Sequence, residues 1–448
     1  MNRVLILHYH EIWLKGGNRR YFLSRLVTAV KRELQGLPVK SLEHVWERLI
    51  LSPQDEAAGP QMLERLGRVF GIAYIGMALE VGADLGELIR AARELMIEKS
   101  PRSFAVRAKI AASDFGWNSM QLEREMGREI LNALQARSER VRVNLSEPEI
   151  TCWVEVIPGR GFVYVDRISG AGGLPAATAG RVVTLLSGGF DSAVAAYKMM
   201  RRGAHSIFLH FHATPSPSRG SSVQVAEEIV RALTPWQFTS RLYLIPFDLA
   251  QRQIVAHAPE SYRVLLYRRL MARMAREVAR AEMALGLVTG DSVSQVASQT
   301  LHNLAAVDSG MDLPVYRPLA GDDKEEVLRW ARRIGTYSIS CQPFEDCCPR
   351  FLPRSPIIFA KAEDLIRAEA RLDIEGLITQ SLEAAGVVEF SYESGQVERR
   401  EAVPRRLKRL LARRETTQRT IASHPLEGEV TGESRRAPVA ADAKADCP

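Results

Sequence analysis

The sequence is poor in cysteine and has no long hydrophobic run. Its 448 residues contain five cysteines, and this odd number argues against a disulfide framework. The longest apolar runs, such as residues 4–7 and 182–186, are far shorter than the ~20 residues that cross a bilayer. The first residues also lack the apolar core of a signal peptide. These absences exclude the membrane and disulfide-rich secreted classes, and they predict a cytoplasmic protein.

The composition is that of a globular protein with a modest excess of positive charge. Hydrophobic residues make up 46% of the chain, charged residues 25%, and the formal net charge is +7. A chain of this length exceeds what one hydrophobic core usually organises, so two or three domains are expected. The basic balance favours a polyanionic partner.

The most informative segment is a glycine turn between an apolar run and a helix-like stretch. Residues 181–186 are followed by Ser187-Gly-Gly-Phe-Asp-Ser192 and then by a helical pattern. A strand, a glycine turn and a helix start present backbone N–H groups to a phosphate. The loop contains no lysine, which excludes the G-x-x-x-x-G-K-[ST] pattern, and its spacing is not G-x-G-x-x-G. The remaining pattern, S-G-G-x-D-S, is typical of PP-loop ATP pyrophosphatases, which release pyrophosphate from ATP to activate a substrate oxygen.

A plain turn would explain the two glycines of this loop, because glycine relieves steric strain in any tight turn. It would not require Asp191 and Ser192. A carboxylate and a hydroxyl beside phosphate suit Mg²⁺ coordination and a helix N-terminus. The loop therefore predicts a site for ATP with Mg²⁺, without a separate protein-bound metal.

Composition divides the chain into three globular blocks, a linker and a tail. The predicted boundaries are residues 1–60, 61–168, 169–180, 181–395 and 396–448. Within the first block we expect a strand at residues 4–9, a helix at 20–34 and a strand at 45–51. The second block should close with a hairpin of strands at residues 150–157 and 161–165.

The linker is rich in glycine and alanine and has no charge. From Arg181 strands and helices alternate, which predicts an α/β, doubly wound, mainly parallel sheet with ligands at the carboxyl ends of its strands. The final segment is rich in arginine and reads as disordered, with a short basic helix at residues 404–414. Such a segment is either a solvated tail or an added RNA contact.

From about Arg3 to about Glu383 the chain resembles the tRNA sulfurtransferase family, which makes 4-thiouridine at position 8 of tRNA. The resemblance is carried by separated motifs in the family's order. They are residues 8–22, Phe70-Gly-Ile72, Phe104-Ala-Val-Arg-Ala-Lys109, the Ser187–Ser192 loop, His210-Phe-His212, Tyr267-Arg-Arg269, residues 289–300, Arg317-Pro-Leu319, Ile334-Gly-Thr-Tyr337 and Pro343-Phe-Glu-Asp-Cys-Cys348. It implies an N-terminal ferredoxin-like α+β domain, a tRNA-binding THUMP α/β domain and a PP-loop adenylation domain.

The resemblance also implies site residues. The expected nucleotide contacts are Leu185, Leu186, Ser187, Gly188, Gly189, Asp191, Ser192, His210, Phe211, Arg268, Gly290 and Gln299. The expected tRNA phosphate contacts are Lys15, Arg19, Arg20 and Arg107. From spacing alone, His210 and Phe211 fit the edge of a core equally well, and Arg268 fits a solvated helix face.

The expected chemistry is attack of a uridine oxygen on ATP, followed by displacement of AMP by sulfur. The catalytic residues implied are Asp191, Cys347 and Cys348. Longer family members carry a persulfide cysteine on a rhodanese domain, which we do not expect here, so the sulfur route has three alternatives. The cysteines accept persulfide from a cysteine desulfurase, or Cys341, Cys347 and Cys348 bind an iron–sulfur cluster, or free sulfide is used.

Two other functions stay open. Another PP-loop adenylating ligase would share the loop, but it would not need an RNA-binding half. A non-catalytic tRNA-binding protein would not need Asp191. The expected partners are tRNA and a sulfur donor, with no membrane, and a homodimer is an alternative to a monomer. A role in sulfur transfer for the thiamine thiazole accompanies the family resemblance.

Overall fold

Two β-sheets organise the molecule. The structure is a computed structural model that describes residues 2–137, 140–213, 221–343 and 355–413. The strands of the first sheet are β1 (Asn2–His8), β2 (Val39–Val45), β3 (Arg48–Pro53), β4 (Tyr74–Gly82), β5 (Ser103–Ile110), β6 (Arg142–Val143), β7 (Ile150–Ile157), β8 (Arg160–Tyr164) and β9 (Arg167–Ser169). Those of the second are β10 (Arg181–Leu185), β11 (His205–His212), β12 (Thr239–Pro246), β13 (Leu287–Val288), β14 (Val315–Tyr316), β15 (Gly386–Glu393) and β16 (Gln396–Ala402).

Helices cover both sheets. The first carries α1 (Arg19–Glu33), α2 (Gly59–Leu66), α3 (Leu85–Lys99) and α4 (Ser119–Gln135). The second carries α5 (Phe190–Arg201), α6 (Ser222–Leu233), α7 (Asp248–His257), α8 (Arg263–Glu282), α9 (Leu301–Asp308), α10 (Lys324–Arg333), α11 (Tyr337–Ser340), α12 (Ala362–Glu369) and α13 (Ile374–Glu383). Among the helices described, none is long and apolar enough to cross a membrane.

The first sheet is continuous across the first two predicted blocks. Its order is β2-β3-β1-β4-β8-β7-β5-β6, with β9 also on β4. Strand β4 pairs with β1 along one edge and with β8 and β9 along the other. The predicted hairpin of residues 150–157 and 161–165 is present as β7 and β8. The ferredoxin-like and THUMP-like parts therefore share one backbone hydrogen-bond network.

One predicted strand is wrong. Residues 45–51 are the turn and second arm of the β2–β3 hairpin, in which Val45 pairs with Arg48. The turn contains neither glycine nor proline, and Trp46 adopts φ of 53°. Glycine is the residue that usually takes a positive φ, so a turn built on Trp46 has no local sequence signal.

A buried charge cluster joins the strands of the first sheet. The Glu155 carboxylate lies 2.9 Å from His8 Nε2 and 2.6 Å from Arg48 Nη1, and it accepts a 2.7 Å hydrogen bond from Tyr164. Burial alone would raise the pKa of Glu155, but the hydrogen bond from His8 and the Arg48 charge lower it to about 2. These partners come from β1, β3, β7 and β8, so the cluster ties both parts of the sheet together.

The second sheet is mainly parallel, as the alternating pattern predicts. Its order is β14-β13-β10-β11-β12-β15-β16, and the five strands from β14 to β12 run parallel. Neighbouring residues of β10 and β11 enter opposite cores: Val183 and Ile207 face one, and Val182 and Phe208 the other. Helices pack on both faces, which is the doubly wound arrangement.

The sheet extends past residue 395. Strand β16 pairs antiparallel with β15 over seven residue pairs. Residues 405–413 then form a helix whose Leu407 and Leu411 are buried in the core. The charged residues of β16, Glu398 to Glu401, are consecutive on an edge strand, and they give the segment the composition of a tail.

The predicted linker, residues 169–180, packs between the two halves. Its Gly172 exchanges hydrogen bonds with the backbone of Gly71 and Ile72, and Leu174 N–H donates to Arg201 O. At Gly173, with φ of +71°, a Cβ atom would lie 2.0 Å from Arg201 O. Nearby, Phe70 stacks against Trp236 with centroids 5.3 Å apart. Glycine therefore permits a close crossing of two backbones here.

Candidate functional site

The Ser187–Ser192 loop follows β10 and opens α5, at the carboxyl edge of the parallel strands. Gly189 precedes the first turn of α5 and has no side chain to cap it. The Ser187 N–H donates to Ser192 Oγ at 3.1 Å, and the two hydroxyl oxygens lie 3.0 Å apart. Ser192 thus holds the loop closed from within, and the N-terminus of α5 supplies a partial positive charge at the site.

Asp191 lies in the first turn of α5 beside a lysine from another element. Its carboxylate is 3.0 Å from Lys324 Nζ, and it accepts a 3.3 Å hydrogen bond from Gln295. The Asp191 side chain is 25% exposed, so ligand atoms can reach it. Lys324 begins α10, behind a capping box of Asp323 and Glu326. Lys324 was not among the predicted site residues, because a capping box marks a helix start and does not reveal what the helix faces.

Gly290 lies directly against this turn. A Cβ atom at Gly290 would be 2.6 Å from Ser192 N and 2.7 Å from the carbonyl carbon of Asp191. Such distances are shorter than any real contact, so only glycine fits. The structure therefore brings the predicted Gly290 to the predicted loop.

Leu185, Leu186, His210 and Phe211 lie on the ends of β10 and β11 beside the loop. His210 and Phe211 are buried, and so is Leu186, while Leu185 is half-buried. His210 Nδ1 is 2.9 Å from Leu186 O, and its Nε2 is 3.0 Å from Ser222 Oγ. Because a carbonyl only accepts, Nδ1 carries the proton and Nε2 accepts from the serine. These side chains shape the site from its core side.

A buried carboxylate, Asp291, gathers the polar groups around the loop. It forms a 2.7 Å ion pair with Arg268 and a 3.3 Å contact with Arg317, and it accepts hydrogen bonds from Thr289 and Gln299. Burial opposes its ionisation, yet Arg268, Thr289 and Arg317 outweigh burial and hold the pKa of Asp291 below its usual range. Arg268 is thereby fixed in place, and it is not a solvated helix residue. Asp291 was not among the predicted site residues, although it lies within the motif of residues 289–300.

Gln299 offers an acceptor without a partner. Its amide nitrogen donates to Asp291 Oδ1 at 3.1 Å. Its Oε1 is buried and has no hydrogen-bond partner among the described residues. A buried carbonyl without a donor costs free energy, about 1–3 kcal/mol. The arrangement suits a ligand that brings an N–H group.

The predicted tRNA contacts fall in two places. Lys15, Arg19 and Arg20 lie on a 3-10 turn (Trp13–Asn18) and the start of α1. Arg19 stacks 3.6 Å over the ring of the exposed Trp13. Arg107 lies on β5 and donates a 2.7 Å hydrogen bond to Leu145 O. The first three residues are therefore neighbours, while Arg107 stands on a different element.

The cysteines differ in environment. Cys152 is buried in the THUMP-like core, and burial raises the pKa of its thiol to about 12, so it is not a thiolate. Cys341, at the end of α11, is exposed. The predicted catalytic Cys347 and Cys348, like Cys447, lie outside the described residues. Across the described ranges no group of three His, Cys, Asp or Glu side chains is placed to hold a metal ion.

Comparison with protein families gives three consecutive matches. The profile described as the ThiI ferredoxin-like domain matches residues 4–76, and the THUMP domain matches residues 82–166. The profile described as thiamine biosynthesis protein (ThiI) matches residues 177–374, which include the loop, Gly290 and Asp291.

Comparison with individual proteins covers most of the chain. A probable tRNA sulfurtransferase from Thermus thermophilus is 42% identical over 390 residues, 87% of this chain and 94% of that protein. One from Caldanaerobacter subterraneus is 36% identical, over 84% of this chain and 97% of that protein. A crystal structure of a 4-thiouridine synthetase bound to RNA and ATP has a TM-score of 0.74 and 32% identity, and covers 86% of this chain and 99% of the solved one.

Proposed function

The chain belongs to the tRNA sulfurtransferase (ThiI) family, and we infer that it forms 4-thiouridine in tRNA by ATP-dependent sulfur transfer. One observation carries this conclusion. The phosphate loop, Asp191 and the Asp291 cluster assemble at one edge of the parallel sheet, in a chain that matches such enzymes over most of its length. For the target nucleotide we propose uridine 8.

ATP is proposed to bind with its phosphates on the Ser187–Ser192 loop. Backbone N–H groups and the start of α5 face this position, and both favour anions. Leu185, Leu186, His210 and Phe211 would then border the nucleoside. The Gln299 acceptor, which has no partner in the described part of the chain, supports a hydrogen bond from the nucleotide.

Asp191 is the proposed carboxylate for Mg²⁺. The residues present fit this ion in a limited way, because one carboxylate and two serine hydroxyls supply oxygen atoms and phosphate oxygens would complete the shell. When bound, Mg²⁺ would neutralise charge on the phosphates. In the structure, the Lys324 ammonium pairs with one oxygen of this carboxylate. When the ion binds there, Lys324 would turn toward the phosphates.

In the proposed reaction, O4 of the uridine attacks the α-phosphorus of ATP and pyrophosphate leaves. A sulfur nucleophile then adds to C4, and AMP departs with the former O4. When this nucleophile is the terminal sulfur of a cysteine persulfide, a second thiolate attacks the inner sulfur, which breaks the S–S bond, releases 4-thiouridine and leaves a disulfide that an added thiol reductant returns to the two thiols. Cys347 and Cys348 are the proposed carriers of persulfide from a cysteine desulfurase or another donor. An iron–sulfur cluster involving Cys341 remains the competing hypothesis for these thiols.

The N-terminal half is proposed to hold the tRNA. Lys15, Arg19 and Arg20 form a small cationic surface next to the exposed rings of Trp13 and Tyr21. Cations neutralise phosphates, and aromatic rings stack on unpaired bases. Arg107 would contribute from the THUMP-like part by exchanging its bond to Leu145 O for a phosphate.

A reconstitution assay tests the function. The purified protein is incubated with tRNA, ATP and Mg²⁺, once with sulfide and once with a persulfide-charged cysteine desulfurase, and 4-thiouridine is measured. We expect product with the wild type. Asp191→Asn should lower the rate about 100-fold or more with either sulfur source, because it weakens binding of the Mg²⁺ that would neutralise charge on the phosphates.

Two controls sharpen this assay. Asp364→Asn removes a half-buried carboxylate from the first turn of another helix, α12, and should leave the rate unchanged. Cys347→Ala should lose product with the desulfurase but retain it with sulfide. If the wild type makes no 4-thiouridine with either source, the proposed function is wrong.

A second role is suggested by the description of the matched profile as a thiamine biosynthesis protein. We propose that the same sulfur reaches the carrier protein used for the thiamine thiazole. The measurement is the mass of that carrier after incubation with this protein, ATP and a persulfide donor. No mass increase corresponding to one sulfur would exclude this role.

A further inference from the structure

The helix of residues 405–413, hereafter the basic helix, has one buried side and one charged side. Leu407 and Leu411 are 0% and 6% exposed and pack into the core of the second sheet. Arg405, Lys408 and Arg409 are exposed. Side chains three and four positions apart share a face of a helix, so these cations form a compact group. The packing of the two leucines holds this group in place on the surface.

Among the described residues, the three cations have no acidic partner. Within the ranges that the structure describes, no carboxylate forms a salt bridge with Arg405, Lys408 or Arg409. Two acidic residues on this side of the sheet are already paired with other arginines. Glu282 pairs with Arg241 at 2.5 Å and with Arg406 at 2.9 Å. Glu389 pairs with Arg241 and with Arg400, each at 2.6 Å.

The basic helix is remote from the nucleotide site. Its Arg406 meets Glu282 at the last residue of α8, whereas Arg268, earlier in α8, meets Asp291 beside the loop. At 1.5 Å per residue, these two points of α8 lie about 21 Å apart along the helix axis. The helix also lies beyond residues 177–374, which the ThiI profile matches. It therefore does not belong to the ATP-binding apparatus.

We propose that the basic helix binds the phosphate backbone of tRNA, as a contact additional to the N-terminal half. This proposal rests on the proposed function, which makes tRNA the polyanion that the protein meets. Residues 405–413 contain no aromatic side chain and so no platform for base stacking. Arginine and lysine on an exposed helix face contact phosphates and carry no sequence information. The contact would position the tRNA without selecting its sequence.

The test is the salt dependence of tRNA affinity. The triple variant Arg405→Gln, Lys408→Gln, Arg409→Gln removes three charges and keeps good helix formers. The matched control, Arg405→Lys, Lys408→Arg, Arg409→Lys, keeps every charge. Each lost phosphate contact lowers the slope of log affinity against log salt by about 0.7–0.9. We expect a decrease of about 2 with the glutamine variant and no change with the control.

A second probe separates backbone contacts from base contacts. Affinity is measured for two tRNA transcripts, one unaltered and one with cytidine in place of uridine 8. The glutamine variant should bind both transcripts more weakly than the wild type by the same factor, since phosphate contacts are independent of sequence. An unchanged salt slope in the glutamine variant would overturn the proposal. So would an unchanged slope accompanied by slower sulfur transfer from the desulfurase, because the helix would then bind an acidic protein instead.

These outcomes are separable from the function itself. The wild type is assayed for 4-thiouridine at saturating tRNA in the same preparation. If it makes the product and the slopes do not differ, the tRNA contact is refuted and the function stands. If it makes no product while the glutamine variant loses slope, the contact stands and the proposed function is refuted.

Discussion

At the scale of single residues, the site depends on a few positions where only one side chain fits. Asp191 must be a carboxylate to pair with Lys324, and Gly290 must lack a side chain to lie against Ser192. Both were predicted from the sequence, because a motif preserves the residue type that the chemistry requires. Lys324 was not predicted, since the contact joins residues 133 positions apart in the chain.

Gly290→Ala should damage the loop. The added methyl group would lie 2.6 Å from Ser192 N, so the first turn of α5 must shift. Overpacking of this kind costs about 1–3 kcal/mol, and we expect ATP affinity, measured by calorimetry, to fall at least about tenfold. Gly127→Ala in α4 is the control, because nothing lies within 4 Å of its added methyl group. That variant should gain about 0.5–1 kcal/mol of stability. Equal ATP affinity in both variants would contradict the proposed packing.

At the scale of elements, local pattern predicted the mainly parallel sheet and the helices at residues 20–34 and 404–414 well, and strand β16 poorly. Helix α1 begins and ends within one residue of its predicted bounds, because its apolar positions repeat with helical spacing. Strand β16 was read as part of a tail. Most of its residues are exposed and several are charged, as is common in edge strands. Its partner strand, and not its own composition, makes it a strand.

The packing of the basic helix on the second sheet can be tested with one buried and one exposed residue. Leu407→Ala should lower the free energy of unfolding by about 2–4 kcal/mol, because it leaves a cavity in the core of the second sheet. Lys408→Ala, one position away and exposed, should change it by less than about 0.5 kcal/mol. Urea unfolding followed by circular dichroism measures both. Equal effects would mean that the helix does not pack on the sheet.

At the scale of the whole molecule, polar contacts between α1 and strand β15 help to join the two sheets. Tyr392 on β15 donates a 3.1 Å hydrogen bond to Glu33 of α1, and Arg32 approaches Glu393 at 3.7 Å. Burial raises the pKa of Glu33 to about 7, against the hydrogen bond of Tyr392 and nearby arginines. The folded protein therefore binds a proton at Glu33 that the unfolded chain, with its pKa of 4.5, has released near neutral pH.

Stability should consequently fall as the pH rises through this window. The contribution of protonated Glu33 is complete below about pH 4.5 and is lost as the pH passes about 7. The full loss is on the order of 3 kcal/mol, since the pKa differs between about 7 and 4.5 and each pKa unit is worth about 1.4 kcal/mol. Glu33→Gln keeps an acceptor for Tyr392 and should remove this part of the pH dependence, measured by urea unfolding at about pH 5 and about pH 8.

Glu64→Gln, at an exposed position, is the control for the pH experiment and should follow the wild type. If Glu33→Gln shows the same pH dependence as the wild type, Glu33 is not protonated in the folded protein. If Glu33→Gln retains sulfurtransferase activity but loses this pH dependence of stability, the contact of Glu33 with Tyr392 affects stability and not catalysis.

The sequence alone was sufficient for the family, the mainly parallel fold and the phosphate loop. A strand, a turn and a helix start occupy consecutive residues, so their periodicity and residue types reveal both the structure and the chemistry. The tertiary structure was needed for the pairing of Asp191 with Lys324, for the Asp291 cluster and for the sheet that runs through β4. It also placed residues 396–402, whose composition is that of a tail, in a strand, and it packed the predicted basic helix on the core of the second sheet. Each of these features joins residues that are distant in the chain. Strand order and side-chain direction bring those residues together, and local pattern encodes neither.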